Sequence, residues 1–335
     1  MSVDPVALAR DLVRIPSPTG AEAVVCDHVA ERLADLGWSV TRQPVTEGRA
    51  NVYATRSEPV VVLSTHLDTV RPELPVGEDD EWIFGRGSAD AKGIAAAQIA
   101  AAAALVESGD PRIGLLFVVG EEGPSDGARA AAALEPKGRY VINGEPTDNR
   151  LALGTKGSVR LELTARGRAA HSAYPEEGCS AIERMLDALT RIRALAFPAD
   201  ATLGDVTVNL GTIEGGSAPN VIPDHCRAQL MYRTVDRNAA VIDAVTRAAG
   251  AEVDVEVTLS LPPVRLAARE GFETTVVRFG TDLPWLEPWG ERFLLGPGSI
   301  RVAHTDAERV AKAELRRGAE LYVRLARSLL AEHDA

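Results

Sequence analysis

The chain has 335 residues, enough for about two domains rather than one small core. With 45% hydrophobic and 25% charged residues it has the composition of a globular protein, and a net charge of −12 (pI ≈ 5.1), with no basic cluster or interleaved aromatics, argues against a nucleic-acid or anionic-membrane partner. Cys26, Cys179 and Cys226 are far apart and form no C-x-x-C pair, which argues against a disulfide framework and for a reducing, cytoplasmic compartment.

In chain order, Asp4, Arg10, Asp11 and Arg14 punctuate an amphipathic helix over 4–14, not a signal peptide. A second helical period covers 21–36, with Gly37 as its stop. "NVYATR" and "VVVLSTHLD" read as strands. "GIAAAQIAAAAALVESG" is a helix, broken by Gln98 and too short for a bilayer, whose alanines suit close packing on a sheet. Then come the strand "IGLLFVVG", the helix "DGARAAAALE" and the strand "RYVINGE". Short, nearly continuous apolar strands between helices describe an α/β layer buried on both faces. From about Lys156 the pattern changes to strand, helix, two strands, helix, strand, which is the order of a ferredoxin-like split unit, closed by Pro262 and Pro263. A Pro/Gly-rich stretch and an amphipathic helix over about 308–332 then complete the first sheet. The expected organisation is a mixed-sheet α/β domain made of 1–155 and 264–335, interrupted by an inserted α+β domain, 156–263.

Chemistry gathers at strand ends. In "STHLDTV", His66 and Asp68 are two apart and so face the same side, at the carboxyl edge where α/β sheets place ligands. A metal-binding imidazole commonly donates its other N–H to a carboxylate, a part that suits Asp68; a surface H-x-D is the alternative. Asp90 lies in the glycine-flanked loop "GRGSADAKG", where it could equally cap the next helix. That loop lacks the third glycine and the leading strand of a dinucleotide fingerprint. "GEE" and "INGEPT" set Glu121, Glu122 and Glu145 directly after apolar strands, and "VAHTDAE" sets His304 before the last helix. His66, Asp90, Glu122, Glu145 and His304 thus converge on one sheet edge as a mixed nitrogen and oxygen donor set for two zinc ions, with one carboxylate bridging. Two adjacent glutamates are then tolerable, because metal charge dominates the local field. One binds metal while its neighbour serves the attacking water as general base.

The series "HLDTV", "GRGSADAKG", "GEEG", "GEPT", "ARGRAAHSAYPEEGCSAIE", "GTIEGGSAPNVIPD", "YRT" and "AHTDAE" resembles the co-catalytic zinc amidohydrolases and peptidases that include acetylornithine deacetylase, succinyl-diaminopimelate desuccinylase, aminoacylase and glutamate carboxypeptidase. The resemblance implies a pair of Zn²⁺ ions, replaceable by Co²⁺. His66 and Glu145 would complete one site, Glu122 and His304 the other, with Asp90 bridging. It implies Asp68 as the group orienting His66, Glu121 as general base, and a cis peptide at Asp90–Ala91. It makes the inserted domain a lid and a homodimer surface whose His171 reaches the neighbouring site and stabilises the oxyanion. Asn220 and Arg233 would hold the substrate carboxylate, and Gly216 would let its loop approach closely. The short segment between "HLDTV" and "GRGSAD" departs from the pattern and leaves the substrate preference open. The expected substrate is a small N-acyl amino acid or short peptide, with acetylornithine deacetylase-like activity placed first. Succinyl-diaminopimelate, carrier-linked lysine and carboxypeptidase or dipeptidase substrates are the alternatives.

Two readings lie outside that family. "GPSDG" fits G-x-S-x-G, so Ser125 with a later acid and His304 could form a serine-hydrolase triad, though its strand ends too early for a sharp elbow. An inactive binding scaffold is the other, disfavoured by the presence of Glu121 and all five ligand candidates.

Overall fold

The computed structural model describes residues 3–335, which divide into two compact units. The first comprises residues up to Leu153 with Leu266–Thr275 and Thr281–Ala335; the second comprises Gly154–Arg265 and Val276–Gly280.

Unit 1 is built on a six-stranded mixed sheet. Its spatial order is Ser39–Thr46, Arg49–Thr55, Ile113–Val118, Val61–His66, Tyr140–Asn143 and Glu291–Leu294. The first three are joined by antiparallel pairing, and the last four run parallel. Every residue of Val61–His66 and of Ile113–Val118 is buried, as unbroken apolar runs require when both sheet faces are covered. The alanine-rich helix Lys92–Glu107 is nearly buried all round, packed on the sheet and between the helices Pro5–Val13 and Lys312–His333. Small side chains permit that close approach, and each fully buried Leu or Phe around it contributes about 1.5–3 kcal/mol. Asp4 caps the first helix by accepting from the Val6 amide at 3.0 Å, with Pro5 in its first turn.

The register aligns the strand ends. His66 pairs with Val118, and Ser64 with Asn143. The residues that follow, including Asp68, Glu121, Glu122 and Glu145, therefore leave the sheet side by side. A small three-stranded sheet, Gly77–Glu78, Trp82–Phe84 and Arg309–Ala311, joins the segment before Asp90 to the one after His304.

Two expectations shift, and one strand lies where the sequence marked none. The polar edge strand Ser39–Thr46 exposes most of its residues, and so lacks the apolar run that marks its neighbours. The last helix begins at Lys312, because 309–311 pair as a strand, and it carries His333 in its final turn. "DGARAAAALE" is helical only over Asp126–Ala131.

Unit 2 is a four-stranded antiparallel sheet in the order Thr207–Gly215, His225–Thr234, Gly157–Arg166, Val253–Leu261. The helices Ala181–Arg193 and Asn238–Ala249 cover one face. Odd-numbered residues of Gly157–Arg166 alternate into that core, with Val159, Leu161, Leu163 and Ala165 fully buried. Ser180 caps the first helix through the Glu183 amide at 3.2 Å, in an S-x-x-E capping sequence.

Candidate metal centre

His66 ends its strand with both ring nitrogens engaged. Its Nδ1–H donates to the Asp68 carbonyl at 2.9 Å, which turns Nε2 towards Asp90 Oδ1 at 3.1 Å. Asp68 divides its work between two groups. The carbonyl orients His66, while its carboxylate, 3.4 Å from Nδ1 at Oδ1, chiefly holds backbone. Oδ1 accepts from the Glu121 amide at 3.0 Å, and Oδ2 from the Glu122 amide at 3.0 Å and the Thr19 hydroxyl at 2.8 Å. The adjacent glutamates are thus hung from one buried acid.

Gly120 makes that turn possible. Its φ is +78°, and a Cβ there would come 2.2 Å from Asp126 Oδ1. Behind the turn, Arg49 binds Asp126 at 2.6 Å and Glu22 at 2.9 Å, and Asn51 holds the Gly127 carbonyl at 2.8 Å.

Asp90 lies between the two imidazoles, 3.1 Å from His66 Nε2 and 3.4 Å from His304 Nε2. The peptide after it, Asp90–Ala91, is cis. Glu122 Oε1 lies 2.7 Å from His304 Nε2. Ligand atoms of His66, Asp90 and Glu122 fall within 4.8 Å of one another. Glu145 is buried beside them and raises, and is raised by, its acidic neighbours. Two imidazoles with their Nε2 atoms turned inward, together with three carboxylates, are a donor set that fits a pair of zinc ions.

The electrostatics fit as well. Burial, then the nearby Glu145, holds the Glu121 carboxyl well above its usual range; burial and Asp90 do the same to Glu145. Burial also raises Glu122, against the pull of His304. Burial opposes the charged forms of His66 and Asp90 too, but Asp68 and then Asp90 hold His66 up, while His304 and then His66 hold Asp90 down. The hydrogen bonds to Asp90 and Glu122 push His304 up to about 10. A cluster of this many acids gains from the positive charge that dications bring.

One acid was not legible in the sequence. Asp282 is buried, pushed up to about 7 by burial, and lies near Ser125, His66 and Asp68. It sits in an irregular stretch with no periodicity to mark it; only the polar pair Thr281–Asp282 amid buried neighbours hints at it. Ser125 is itself buried, with φ +51°, close to Asp282, and its hydroxyl makes no hydrogen bond to a histidine among the described residues. Residues 296–299 back the Glu145 segment: Thr147 and Asn149 donate to the Gly296 carbonyl at 3.2 and 2.9 Å. Trp289 belongs to the core against Tyr53.

The other candidates lie in unit 2. His171 is exposed, and its Nδ1 accepts from the Ala173 amide at 3.1 Å, so its neutral ring carries the proton outward on Nε2. Asn220 adjoins it, its carbonyl accepting from the Ser172 amide at 3.0 Å. Gly216 is exposed with φ +77°. Arg233 sits near the far end of His225–Thr234, roughly 26 Å along the strand from His225. It donates to Ser158 Oγ at 2.5 Å and has no ion pair among the described residues.

Comparison with known proteins gives a consistent result. The family model described as Peptidase family M20/M25/M40 matches residues 62–328. A peptidase M20 domain-containing protein of Schizosaccharomyces pombe is 37% identical over 333 residues, covering 96% of this chain and 83% of that protein. A probable carboxypeptidase of Aspergillus terreus is 39% identical, covering 94% and 84%. Among solved structures, the aminopeptidase PepT of Bacillus cereus superposes with a TM-score of 0.78 at 23% identity over 98% of both chains. An M20 family metallo-carboxypeptidase of Sulfolobus solfataricus gives 0.78 at 15%, covering 97% and 99%. YxeP of Bacillus subtilis, described as a dinuclear metal binding peptidase, gives 0.70 at 17%, covering 96% and 98%. At these identities the structural likenesses speak to the fold, a mixed α/β architecture shared with these peptidases.

Proposed function

This chain belongs to peptidase family M20/M25/M40, and from that membership we propose that it is a two-metal exopeptidase. It hydrolyses the amide bond before a free α-carboxylate, in a short peptide or an N-acyl amino acid. The carboxypeptidase names of its relatives favour peptides ahead of the acetylornithine-type substrate that the motif wording suggested. The observation that carries the reading is Asp90 set between His66 and His304, with the Glu121–Glu122 turn hung beside it on Asp68.

His66, Glu145, Asp90, Glu122 and His304 would hold the two zinc ions. Bound there, zinc polarises the scissile carbonyl and makes an attacking water more acidic. Glu121 takes that water's proton and delivers it to the leaving amine, a role supported by its place beside Glu122 on the turn that Asp68 holds. His171 donates through Nε2 to the developing oxyanion, supported by the tautomer its Nδ1 contact selects. Arg233, with no carboxylate of its own, receives the substrate's. Asn220 and Gly216 complete the substrate loop. His171 and Arg233 lie towards opposite ends of one sheet, and the reading includes a homodimer paired through the inserted domain. The exposed edge strand Thr207–Gly215 supports that assembly.

The test is a panel of N-acetyl and N-succinyl amino acids, dipeptides and tripeptides, assayed with added Zn²⁺ or Co²⁺. Hydrolysis confined to substrates with a free α-carboxylate, abolished by chelator, is expected. Glu121→Gln should bind metal normally and lose about 10²- to 10⁴-fold in kcat. Wild-type turnover by that variant would remove Glu121 from its role.

A further inference from the structure

Two of the loops that carry acidic residues of the centre are each seated on a buried carboxylate. Asp68 does this for Glu121 and Glu122. The second loop, Gly85–Asp90, carries Asp90. Its amides converge on Oε1 of Glu308: Gly87 at 2.8 Å, Ala89 at 3.3 Å and Asp90 itself at 3.3 Å. Gly85 and Gly87 adopt φ +135° and +85°, which turns the amides inward. This is an anion-binding nest of backbone N–H groups, filled by a side chain of the same chain rather than by a phosphate.

The other carboxylate oxygen of Glu308 accepts from Arg86 Nη1 at 2.6 Å. The Arg86 guanidinium continues to the Thr305 carbonyl at 3.3 Å, next to His304, and to the Pro72 carbonyl at 3.1 Å. Both side chains of the pair are almost fully buried, at 2% and 1% exposure. Glu308 lies four residues after His304, immediately before the strand Arg309–Ala311 that pairs with Trp82–Phe84. One buried ion pair therefore ties the Asp90 loop to the His304 segment, two pieces of chain more than 200 residues apart.

We propose that Glu308 is a positioning residue of the metal centre: with Arg86 it sets Asp90 against His304, and so fixes the carboxylate that joins the two halves of the site. It touches neither substrate nor metal. The assignment rests on the two-metal reading above. It adds that the geometry of the bridging acid is held from the His304 side, as Glu122 is held from the His66 side by Asp68.

The experiment is titration of chelator-stripped protein with Zn²⁺ by calorimetry, and with Co²⁺ by visible absorption, on wild type, Glu308→Ala and Glu308→Gln. Melting temperatures of the stripped proteins are measured in parallel. Wild type should take two equivalents. Glu308→Ala should weaken metal binding by about 10- to 100-fold and alter the Co²⁺ spectrum, the size expected for loss of a group that orients a ligand. Glu308→Gln keeps an acceptor for the amides and should recover part of the loss. Wild-type affinity and spectrum in Glu308→Ala would overturn the proposal, even if its stripped form melts lower, because the residue would then only stabilise the fold. If Glu308→Ala does not fold, Glu308→Gln and Arg86→Lys carry the test, and unchanged metal binding in both would overturn it. A wild-type protein that binds no metal would instead sink the functional reading, and this assignment with it.

Discussion

Two charge-assisted hydrogen bonds from neighbouring amides to one carboxylate restrain a loop more tightly than a single bond to an imidazole, and Asp68 makes that choice. At the scale of single residues, position after a strand was the readable signal. His66, Glu122 and Glu145 follow buried apolar runs and so had to emerge at one edge. Asp282, Arg86 and Glu308 lie in irregular stretches, where no period reports burial, and only tertiary contacts reveal them. The three thiols show the same contrast. Cys26 and Cys226 are buried, and burial pushes the Cys26 thiol up to about 12, whereas Cys179 is only half-buried. Iodoacetamide on the native protein should label Cys179 first and leave Cys26 unmodified until denaturant is added, since thiolate fraction and access govern the rate. Peptide mapping by mass spectrometry reads the outcome, and early labelling of Cys26 would contradict the packing described.

At the scale of elements, the alternation of strands and helices specified the β-α-β-β-α-β order, and the buried odd positions of Gly157–Arg166 specified which face meets the helices. Neighbour relations across the sheet are not a local property, so the edge position of Thr207–Gly215 came only from the fold. That strand offers an unpaired backbone edge with Val208, Leu210 and Ile213 each more than 40% exposed. An edge this long and apolar invites pairing, and charge on it prevents pairing. With the proposed homodimer paired through this strand, Ile213→Lys should shift it to monomer in analytical ultracentrifugation without changing its circular dichroism. A wild-type monomer at micromolar concentration would refute the assembly.

At the scale of the whole molecule, unit 1 carries several buried acids held away from their ionised forms. Glu121, Glu145 and Asp282 have folded-state pKa values raised above the unfolded ones, Asp282 to about 7. Their contribution to stability is complete below the unfolded values of 4.5 and 3.8 and is lost as pH rises through the folded ones. Asp68 and Asp90 shift the other way, and lose their contribution only as pH falls. Metal-stripped protein should accordingly melt at lower temperature as pH rises from 5 towards about 7. Zn²⁺ should flatten that slope and, at a hundred times its Kd, add about 2.7 kcal/mol of stability. Calorimetric scans across pH with and without metal decide it, and a stripped protein that gains stability over this range would contradict the electrostatics.

The wide separation of His304 from its partners also has a timing consequence. A ribosome delivers His66, Asp90, Glu122 and Glu145 first, and His304 only 159 residues after Glu145. At about 5–20 residues per second that interval is roughly 8–32 s. During it the nascent chain displays acids and one imidazole, but not the second histidine, nor Glu308 to seat the bridging aspartate. The cluster described above therefore cannot close until the ribosome has travelled 159 residues past Glu145.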